Sequence, residues 1–277
     1  MAKRFLRDVQ DGQPPDTILR SEVVGFNADG TSELKALFDG DAVFDQPKPT
    51  GLTQFLTEVL AATPDATVLD FFAGSGTLGH GTLRANAEDG GTRRYVMSQL
   101  PETTDYADNE LRSRLPTISA ITRERMRRVA ADMADLIDLD LGFRAYALDT
   151  SALSPRRAGN EESPAGLLFA DPVAPERTDE ALLVELLLAR GFDLTEQVIW
   201  HEVEGASVAD VADGALLACF TRELTLELFE ALVELEPAQL ILLEAGFGDK
   251  DEVKINALQH LKTKNAHRQT PIELLVV

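Results

Sequence analysis

The residues with the clearest chemical potential lie in one short segment, Asp70-Phe71-Phe72-Ala73-Gly74-Ser75-Gly76-Thr77. An apolar run from Thr67 to Leu69 precedes this segment, and a helical pattern from Thr77 to about Ala87 follows it. The two glycines let the backbone turn sharply and approach a ligand closely at the carboxyl end of a strand, where open α/β sheets bind their ligands. The sequence therefore predicts a strand, a tight glycine turn and a helix that together bind a small molecule.

The spacing of the glycines excludes two familiar nucleotide-binding loops. It lacks the third glycine of the dinucleotide fingerprint, and it lacks the Gly-Lys-Ser/Thr end that holds triphosphate and magnesium. An acidic strand end, Asp70, beside backbone N–H groups suits a ligand with both an amino group and a carboxylate, and S-adenosylmethionine has both. A purely structural strand-to-helix turn also uses glycine, so the loop alone leaves both interpretations open.

The elements that must position this loop alternate between strand and helix. A helical run from Thr53 to Ala62 precedes the strand Thr67 to Asp70. After the loop helix we expect strands from Arg94 to Leu100 and from Phe143 to Leu148, separated by a helix whose apolar positions run from Ile118 to Ile137. Such alternation predicts a parallel sheet with crossover helices, and it places the glycine loop at the carboxyl edge of that sheet.

The rest of the chain divides around these elements. Residues 1–45 are polar and rich in glycine, carry one short predicted helix from Ser32 to Phe38, and form no domain of their own. The polar stretch from Ser151 to Ser163 is the best candidate for a linker. Beyond it the pattern predicts a second α/β domain, with helices at Ala181–Arg190, Leu224–Leu235 and Asp251–Leu261, and strands at Val198–Val203, Ala215–Phe220, Leu240–Leu243 and Ile272–Val277.

The composition is that of an ordinary globular protein. The 277 residues are 44% hydrophobic and 26% charged, which is enough to bury a sizeable core. Apolar stretches stay well short of the ~20 residues that a membrane span needs, and the amino-terminal residues do not read as a signal peptide. The lone Cys219 fits a reducing cytoplasm, and the four histidines show no metal-ligand spacing. We therefore expect a cytoplasmic protein without a metal site or membrane contact.

The charge balance opposes nucleic-acid binding over most of the surface. Lys and Arg number 26 against 47 Asp and Glu, a net charge of −21, so the field of the whole molecule repels phosphate. The local exception is a run of arginines between Arg112 and Arg128. We interpret this run as a solvated helix face that Glu110 and Glu124 offset.

A second segment decides between the interpretations of the glycine loop. Phe44-Asp45-Gln46-Pro47-Lys48-Pro49, followed by a helix and then by the glycine loop, resembles the paired cofactor motifs of β-class amino-methyltransferases that act on DNA. The resemblance extends along nearly the whole chain to the modification subunits of type III restriction systems. It includes residues 4–6, 15–17, 21–23 and 30–38, then 89–91, 99–102, 121–125 and 141–149, and finally 247–256. It implies half of a Rossmann-like sheet of S-adenosylmethionine-dependent methyltransferases, joined to a C-terminal α/β domain.

The resemblance also implies a cofactor, its contacts and a domain plan. The cofactor is S-adenosylmethionine. Its methionine end would be held by Asp70, Phe71, Ala73, Gly74, Ser75 and Gly76, its other side by Phe44, Lys48 and Pro49, its ribose by Gln99 with Glu102 as a fallback, and its adenine by Asp149. Residues 1–45 would end a target-recognition region, residues 46–152 would form the S-adenosylmethionine-binding subdomain, and residues 164–277 would form the C-terminal domain.

One element of the family is missing from the expected place. The family holds its target adenine with an Asp-Pro-Pro-Tyr element, whose oxygens accept hydrogen bonds from the exocyclic amine while the aromatic ring stacks on the flipped base. The nearest match, Asp171-Pro172-Val173-Ala174, lacks the second proline and the aromatic residue, and we interpret it as a loop. We therefore assign no catalytic residue. We expect the cofactor-binding part of an adenine-N6 DNA methyltransferase that is inactive alone, with DNA, a restriction subunit or a chain carrying the catalytic half as partners.

Two other interpretations remain open at this point. The chain could be a degenerate or structural protein that keeps the fold and binds cofactor or a restriction subunit without chemistry. It could also be an unrelated Rossmann-like small-molecule methyltransferase or oxidoreductase. Gln99 disfavours an oxidoreductase, because such an enzyme usually has an acidic residue at the end of the second strand to bind the nicotinamide ribose.

Overall fold

The chain folds into two compact units, Met1–Ala145 and Tyr146–Val277. The computed structural model describes residues 18–106, 108–134, 139–153, 173, 177–248 and 251–277. Both units combine helices with strands, so the predicted α/β class is confirmed. The domain bounds at 45, 152 and 164 stay predictions, since most of the predicted linker lies outside the described residues. None of the described helices has the length and apolar character needed to cross a bilayer.

The first unit contains a small parallel sheet and several helices. Its elements are α1 (Ser21–Val24), α2 (Asn27–Leu37), α3 (Thr50–Leu60), β1 (Thr67–Asp70), α4 (Thr77–Asp89), β2 (Arg94–Met97), α5 (Asn109–Arg114) and α6 (Ile118–Met133). β1 pairs with β2 in parallel, with Leu69 opposite Val96. The predicted strand, glycine turn and helix are confirmed, because β1 ends at Asp70 and α4 begins at Thr77.

The predicted third strand from Phe143 to Leu148 is wrong. These residues form no ladder with β1 or β2. Phe143 instead packs against a buried cluster formed by Leu83, Met126 and Val129, whereas Leu148 is fully exposed. Phe143 alone of this run packs against helices, and an alternation of apolar side chains does not supply a neighbouring strand edge for the backbone.

The small sheet leaves apolar side chains exposed to solvent. Among the described residues β1 has β2 as its one neighbour, so the other edge of β1 is unpaired there. Leu69 is 53% exposed and Val96 52%, while Phe71, Phe72 and Leu100 are 65–86% exposed. We call these five residues the exposed apolar group. A patch of this kind usually marks an interaction site.

The second unit is built on a five-stranded mixed sheet. Its elements are α7 (Asp179–Arg190), β3 (Val198–Val203), β4 (Ala206–Val211), β5 (Leu216–Cys219), α8 (Leu226–Glu234), β6 (Gln239–Leu242), α9 (Asp251–Asn265) and β7 (Glu273–Val276). The strand order is β3-β4-β5-β6-β7, antiparallel from β3 to β5 and parallel from β5 to β7. The predicted strands and helices are confirmed, and β4 is the strand that the sequence pattern missed.

Both faces of this sheet are covered. One buried cluster includes Phe229 and Leu232 of α8 and Ala257 of α9, and a second includes Leu182 and Leu186 of α7. Because each face packs on helices, β5 is apolar along its whole length and β6 is apolar from Leu240 to Leu242, without alternation. The sequence pattern does not indicate β4, because Ala209 and Asp210 have weak strand propensity.

Candidate functional site

The glycine loop, residues 71–76, extends the pairing of β1 and β2 beyond their ends. The Ser98 N–H donates to the Asp70 carbonyl at 2.8 Å, and the Ala73 N–H donates to the Ser98 carbonyl at 3.1 Å. Gly74 and Gly76 have φ values of +53° and +80°, in the left-handed region that glycine tolerates and other residues rarely adopt. The loop is therefore a fixed backbone turn whose shape depends on both glycines.

Helix α6 supports the loop from beneath. The Thr122 hydroxyl donates to the Gly74 carbonyl at 2.7 Å. A Cβ atom on Gly76 would lie 3.0 Å from the Thr122 methyl carbon. Gly76 is buried, so the close approach that this glycine permits is an approach to α6. The sequence predicts a ligand contact for the same glycine, and that contact stays a prediction.

Gln99 braces the loop from the side of β2. Its amide oxygen accepts the Gly74 N–H at 2.8 Å, and its amide nitrogen donates to the Leu100 carbonyl at 3.3 Å. The side chain thus supplies the acceptor for a loop N–H group that has no backbone acceptor among the described residues. Its contact with a ribose stays a prediction.

The segment from Phe44 to Pro49 lies against the glycine loop. The Phe44 ring covers Gly74, because a Cβ atom on that glycine would lie 3.4 Å from the ring. The Lys48 carbonyl lies 3.5 Å from the Thr77 hydroxyl at the start of α4. Pro49 is buried while Lys48 is exposed. The structure therefore brings the two predicted cofactor motifs side by side.

A buried arginine joins these two motifs. Arg125 of α6 is 1% exposed and donates from one terminal nitrogen to Ser75 Oγ at 3.1 Å and Thr77 Oγ1 at 2.8 Å. Its other terminal nitrogen donates to Thr50 Oγ1 at 3.0 Å. Burial lowers the pKa of Arg125 to about 10, so the side chain stays charged at neutral pH.

This position corrects one prediction. A solvated face is confirmed for Arg112, Arg114 and Arg127, whose side chains are 47–60% exposed. It is wrong for Arg125, which points to the interior from the same helix as Arg127. The sequence signal that could have found it is its spacing of three residues from Thr122, which puts both side chains on one helix face.

His80 of α4 completes the buried network. Its Nδ1 atom lies 3.3 Å from the Arg125 guanidinium and 3.4 Å from the Thr50 hydroxyl. Burial, with Arg125 and Arg84 nearby, lowers the pKa of His80 to about 3. The imidazole is therefore neutral, and because Arg125 can only donate, Nδ1 accepts and the ring proton is on Nε2.

We expect His80 to make the stability of the chain depend on pH. The folded pKa is about 3 against 6.5 in the unfolded chain, so the neutral ring stabilises the fold above pH 6.5 and that stabilisation is lost as the pH falls. The loss is ~1.4 kcal/mol per pH unit, or ~2 kcal/mol between pH 6.5 and 5. Denaturant unfolding at several pH values measures it. His80→Gln should flatten the dependence, whereas the exposed His267→Gln should leave it unchanged; equal slopes in all three proteins would contradict the assignment.

The remaining predicted residues divide between the two units. Asp70 accepts the Phe72 N–H at 2.9 Å through one carboxylate oxygen, and Phe71 is exposed beside it. Asp149 lies in the second unit, where Arg177 donates to it at 2.5 Å. Within the loop, Ala73, Ser75 and Gly76 are buried. The Asp171-Pro172 stretch lies outside the described residues.

A separate cavity of about 280 Å³ borders the same segment. It is lined by Phe44 with neighbouring residues 41–46 and by Leu34 of α2, and no residue of the glycine loop lines it. The cavity therefore lies on the α2 side of Phe44, away from the loop face that the motifs predict for the ligand.

Comparison with known proteins gives a consistent set of relatives. No protein-family model matches the chain. The Mod subunit of the StyLTI type III restriction-modification enzyme of Salmonella typhimurium is 40% identical over 130 residues, 46% of this chain. A type III Mod subunit of Escherichia coli is 27% identical over 261 residues, 89% of this chain. The type II methyltransferase M.KpnI of Klebsiella pneumoniae is 34% identical over 105 residues, 38% of this chain.

The resemblance to type III modification subunits is confirmed. This Mod-like chain spans only part of each relative: the matches cover 20%, 38% and 25% of the Salmonella, Escherichia and Klebsiella proteins. The Escherichia match runs through both units of the Mod-like chain, since it covers 89% of the residues.

Proposed function

We propose that this chain is the S-adenosylmethionine-binding and C-terminal part of an adenine-N6 DNA methyltransferase with a Rossmann-like sheet. The observation that carries the proposal is the packing of Phe44 on Gly74, which joins the two motifs in a chain whose relatives are named as Mod subunits and a methyltransferase. By analogy with these relatives, the chain would act within a restriction-modification system. DNA and a restriction subunit are its proposed partners, and the cytoplasm its proposed location.

The groups around the loop have the chemistry of the proposed cofactor. S-adenosylmethionine carries an ammonium, a carboxylate and an aromatic base. Asp70 keeps one carboxylate oxygen without a partner in the described part of the chain, which suits the ammonium. Lys48 is an exposed cation for which the described residues provide no ion pair, which suits the carboxylate. Phe71 and Phe72 present exposed rings that an apolar or aromatic group can cover.

In this proposal the chain holds the cofactor and the reaction is completed elsewhere. The bound cofactor supplies an electrophilic methyl group. Asp70 and Lys48 orient the methionine end by opposite charges, while Gln99 and Thr122 hold the shape of the loop. No residue here is assigned to hold the target amine, so that step belongs to a separate polypeptide segment.

The exposed apolar group supports the proposed need for another segment. Leu69 and Val96 lie opposite each other on the sheet, and each leaves about half of its surface in water. Covering such apolar surface with another polypeptide segment is favourable by ~25 cal/mol for each Å² removed from water. The unpaired edge of β1 offers backbone N–H and C=O groups to an added parallel strand in the same place.

A second candidate function is a non-catalytic interaction protein that keeps the fold. The net charge of −21 favours it, since phosphate contacts are opposed over most of the surface. Such a protein would bind a restriction subunit without transferring methyl groups.

Calorimetric titration with S-adenosylmethionine tests the proposed function. We expect saturable binding by the chain, and no binding of the reduced nicotinamide dinucleotide at the same concentrations. Lys48→Met should weaken S-adenosylmethionine binding ~10-fold, because a charged contact to the carboxylate is lost. The matched control is Lys35→Met, since Lys35 is also exposed but lies on α2, and its affinity should be unchanged. Absence of binding by the unaltered chain would favour the non-catalytic alternative.

A further inference from the structure

Arg125 carries a positive charge that the described residues do not neutralise directly. Its guanidinium is 1% exposed, and its partners are three hydroxyls and the neutral ring of His80. Its Nε atom is buried, and the described part of the chain offers it no acceptor. A buried charge is normally paired with an opposite charge, because removing it from water is costly. The charge of Arg125 therefore lies in contact with the loop without a directly paired carboxylate among the described residues.

Against the effect of burial, the charge of Glu33 raises the pKa of Arg125, but Glu33 is linked to Arg125 through Thr50. Glu33 accepts the backbone N–H of Thr50 at 2.9 Å, and the Thr50 hydroxyl accepts from Arg125 on the other side. Glu33 therefore reduces the cost of the buried charge without forming an ion pair with it. The electrostatic potential at the loop therefore stays positive, because the guanidinium contacts Ser75 and Thr77 directly.

The amino end of α4 adds to this potential. Helix α4 begins at Thr77, and its N-cap residue is Gly76, which has no side chain to cap the first N–H groups. The amino end of a helix carries a partial positive charge. The guanidinium and the helix end thus act in the same direction at the same two residues, and a ligand anion at the loop would be stabilised by both.

We infer that Arg125 is a positioning residue that makes the glycine loop selective for the carboxylate of the bound cofactor. This rests on the proposed function. Arg125 does not touch the ligand. It fixes the Ser75 and Thr77 hydroxyls as acceptors towards itself and supplies the charge that favours an amino acid carboxylate over the same ligand without one. The methionine end of S-adenosylmethionine is the chemical group that it recognises.

The test compares S-adenosylmethionine with decarboxylated S-adenosylmethionine, two ligands that differ only in the carboxylate. Calorimetry on the full chain gives the affinity ratio between them. Arg125→Met should reduce that ratio at least ~10-fold, mostly through weaker binding of S-adenosylmethionine. The matched control is Arg127→Met on the same helix, since Arg127 is 60% exposed, and its ratio should equal that of the unaltered chain.

A second variant separates charge from folding. Arg125→Lys keeps the cation but cannot reach Thr50, Ser75 and Thr77 together, because an ammonium lacks the guanidinium fork. We expect it to keep the affinity ratio within ~3-fold of the unaltered chain even if both ligands bind more weakly. If Arg125→Met fails to fold, Arg125→Gln removes the charge in its place and should show the same fall in the ratio. Equal losses for both ligands in the variant that removes the charge would overturn the inference and leave the proposed function standing. Failure of the unaltered chain to bind either ligand would overturn both.

Discussion

The isolated chain is expected to transfer no methyl group to DNA, even with S-adenosylmethionine and duplex in excess. An adenine amine becomes nucleophilic towards a methyl group only when acceptors localise its lone pair and the base is held outside the stack. The residues assigned to the loop bind the cofactor and supply neither function. The net charge of −21 also opposes phosphate contacts. Transfer of labelled methyl groups to unmethylated genomic DNA should therefore stay at background.

Adding a polypeptide that carries the Asp-Pro-Pro-Tyr element should raise the rate at least ~100-fold, since positioned acceptors of this kind contribute that much or more. The same polypeptide with its aspartate replaced by alanine is the matched control and should restore nothing. Leu69→Lys in this chain should weaken the restoration, because it puts a charge in the exposed apolar group. Clear turnover by the isolated chain that disappears in Asp171→Asn would contradict the assignment of catalysis to another segment.

Gly76→Val should abolish S-adenosylmethionine binding, with an affinity at least ~100-fold lower. A branched residue at a φ of +80° is strained, at a cost of ~1–3 kcal/mol. Its Cβ atom would also lie 3.0 Å from the Thr122 methyl carbon and 3.4 Å from the Thr122 carbonyl oxygen. The added side chain pushes the loop away from α6, which weakens the hydrogen bond from Thr122 to Gly74. Calorimetry measures the binding, and denaturant unfolding measures the loss of stability.

Gly90→Val separates backbone strain from contact with α6. Gly90 ends α4 with a φ of +72°, and a Cβ atom there would meet no atom within 4 Å. This variant carries a similar conformational cost without displacing the loop, so S-adenosylmethionine should bind within ~2-fold of the unaltered chain. If the two valine variants lose the same affinity, the loop does not depend on its contact with Thr122.

The elements encoded by local signals could be predicted from the sequence. β1 and α4 have the predicted residues at the loop because an apolar run, two glycines and a helical pattern are properties of neighbouring residues. Most of the second unit could be predicted for the same reason. Local signals could not show whether a strand forms at Phe143. A strand needs an adjacent strand edge, and the alternation of side chains indicates only burial.

The sequence by itself determined the α/β class, the position of the glycine turn and the resemblance to modification subunits. Only the tertiary structure decided the roles of Arg125, His80 and Gln99. Arg125 and Arg127 lie two residues apart on α6, yet one is buried against Ser75 and the other is 60% exposed. The contacts that distinguish them join residues about fifty positions apart. Such contacts depend on how α6 packs against the loop, and a pattern of neighbouring residues contains no information about that packing.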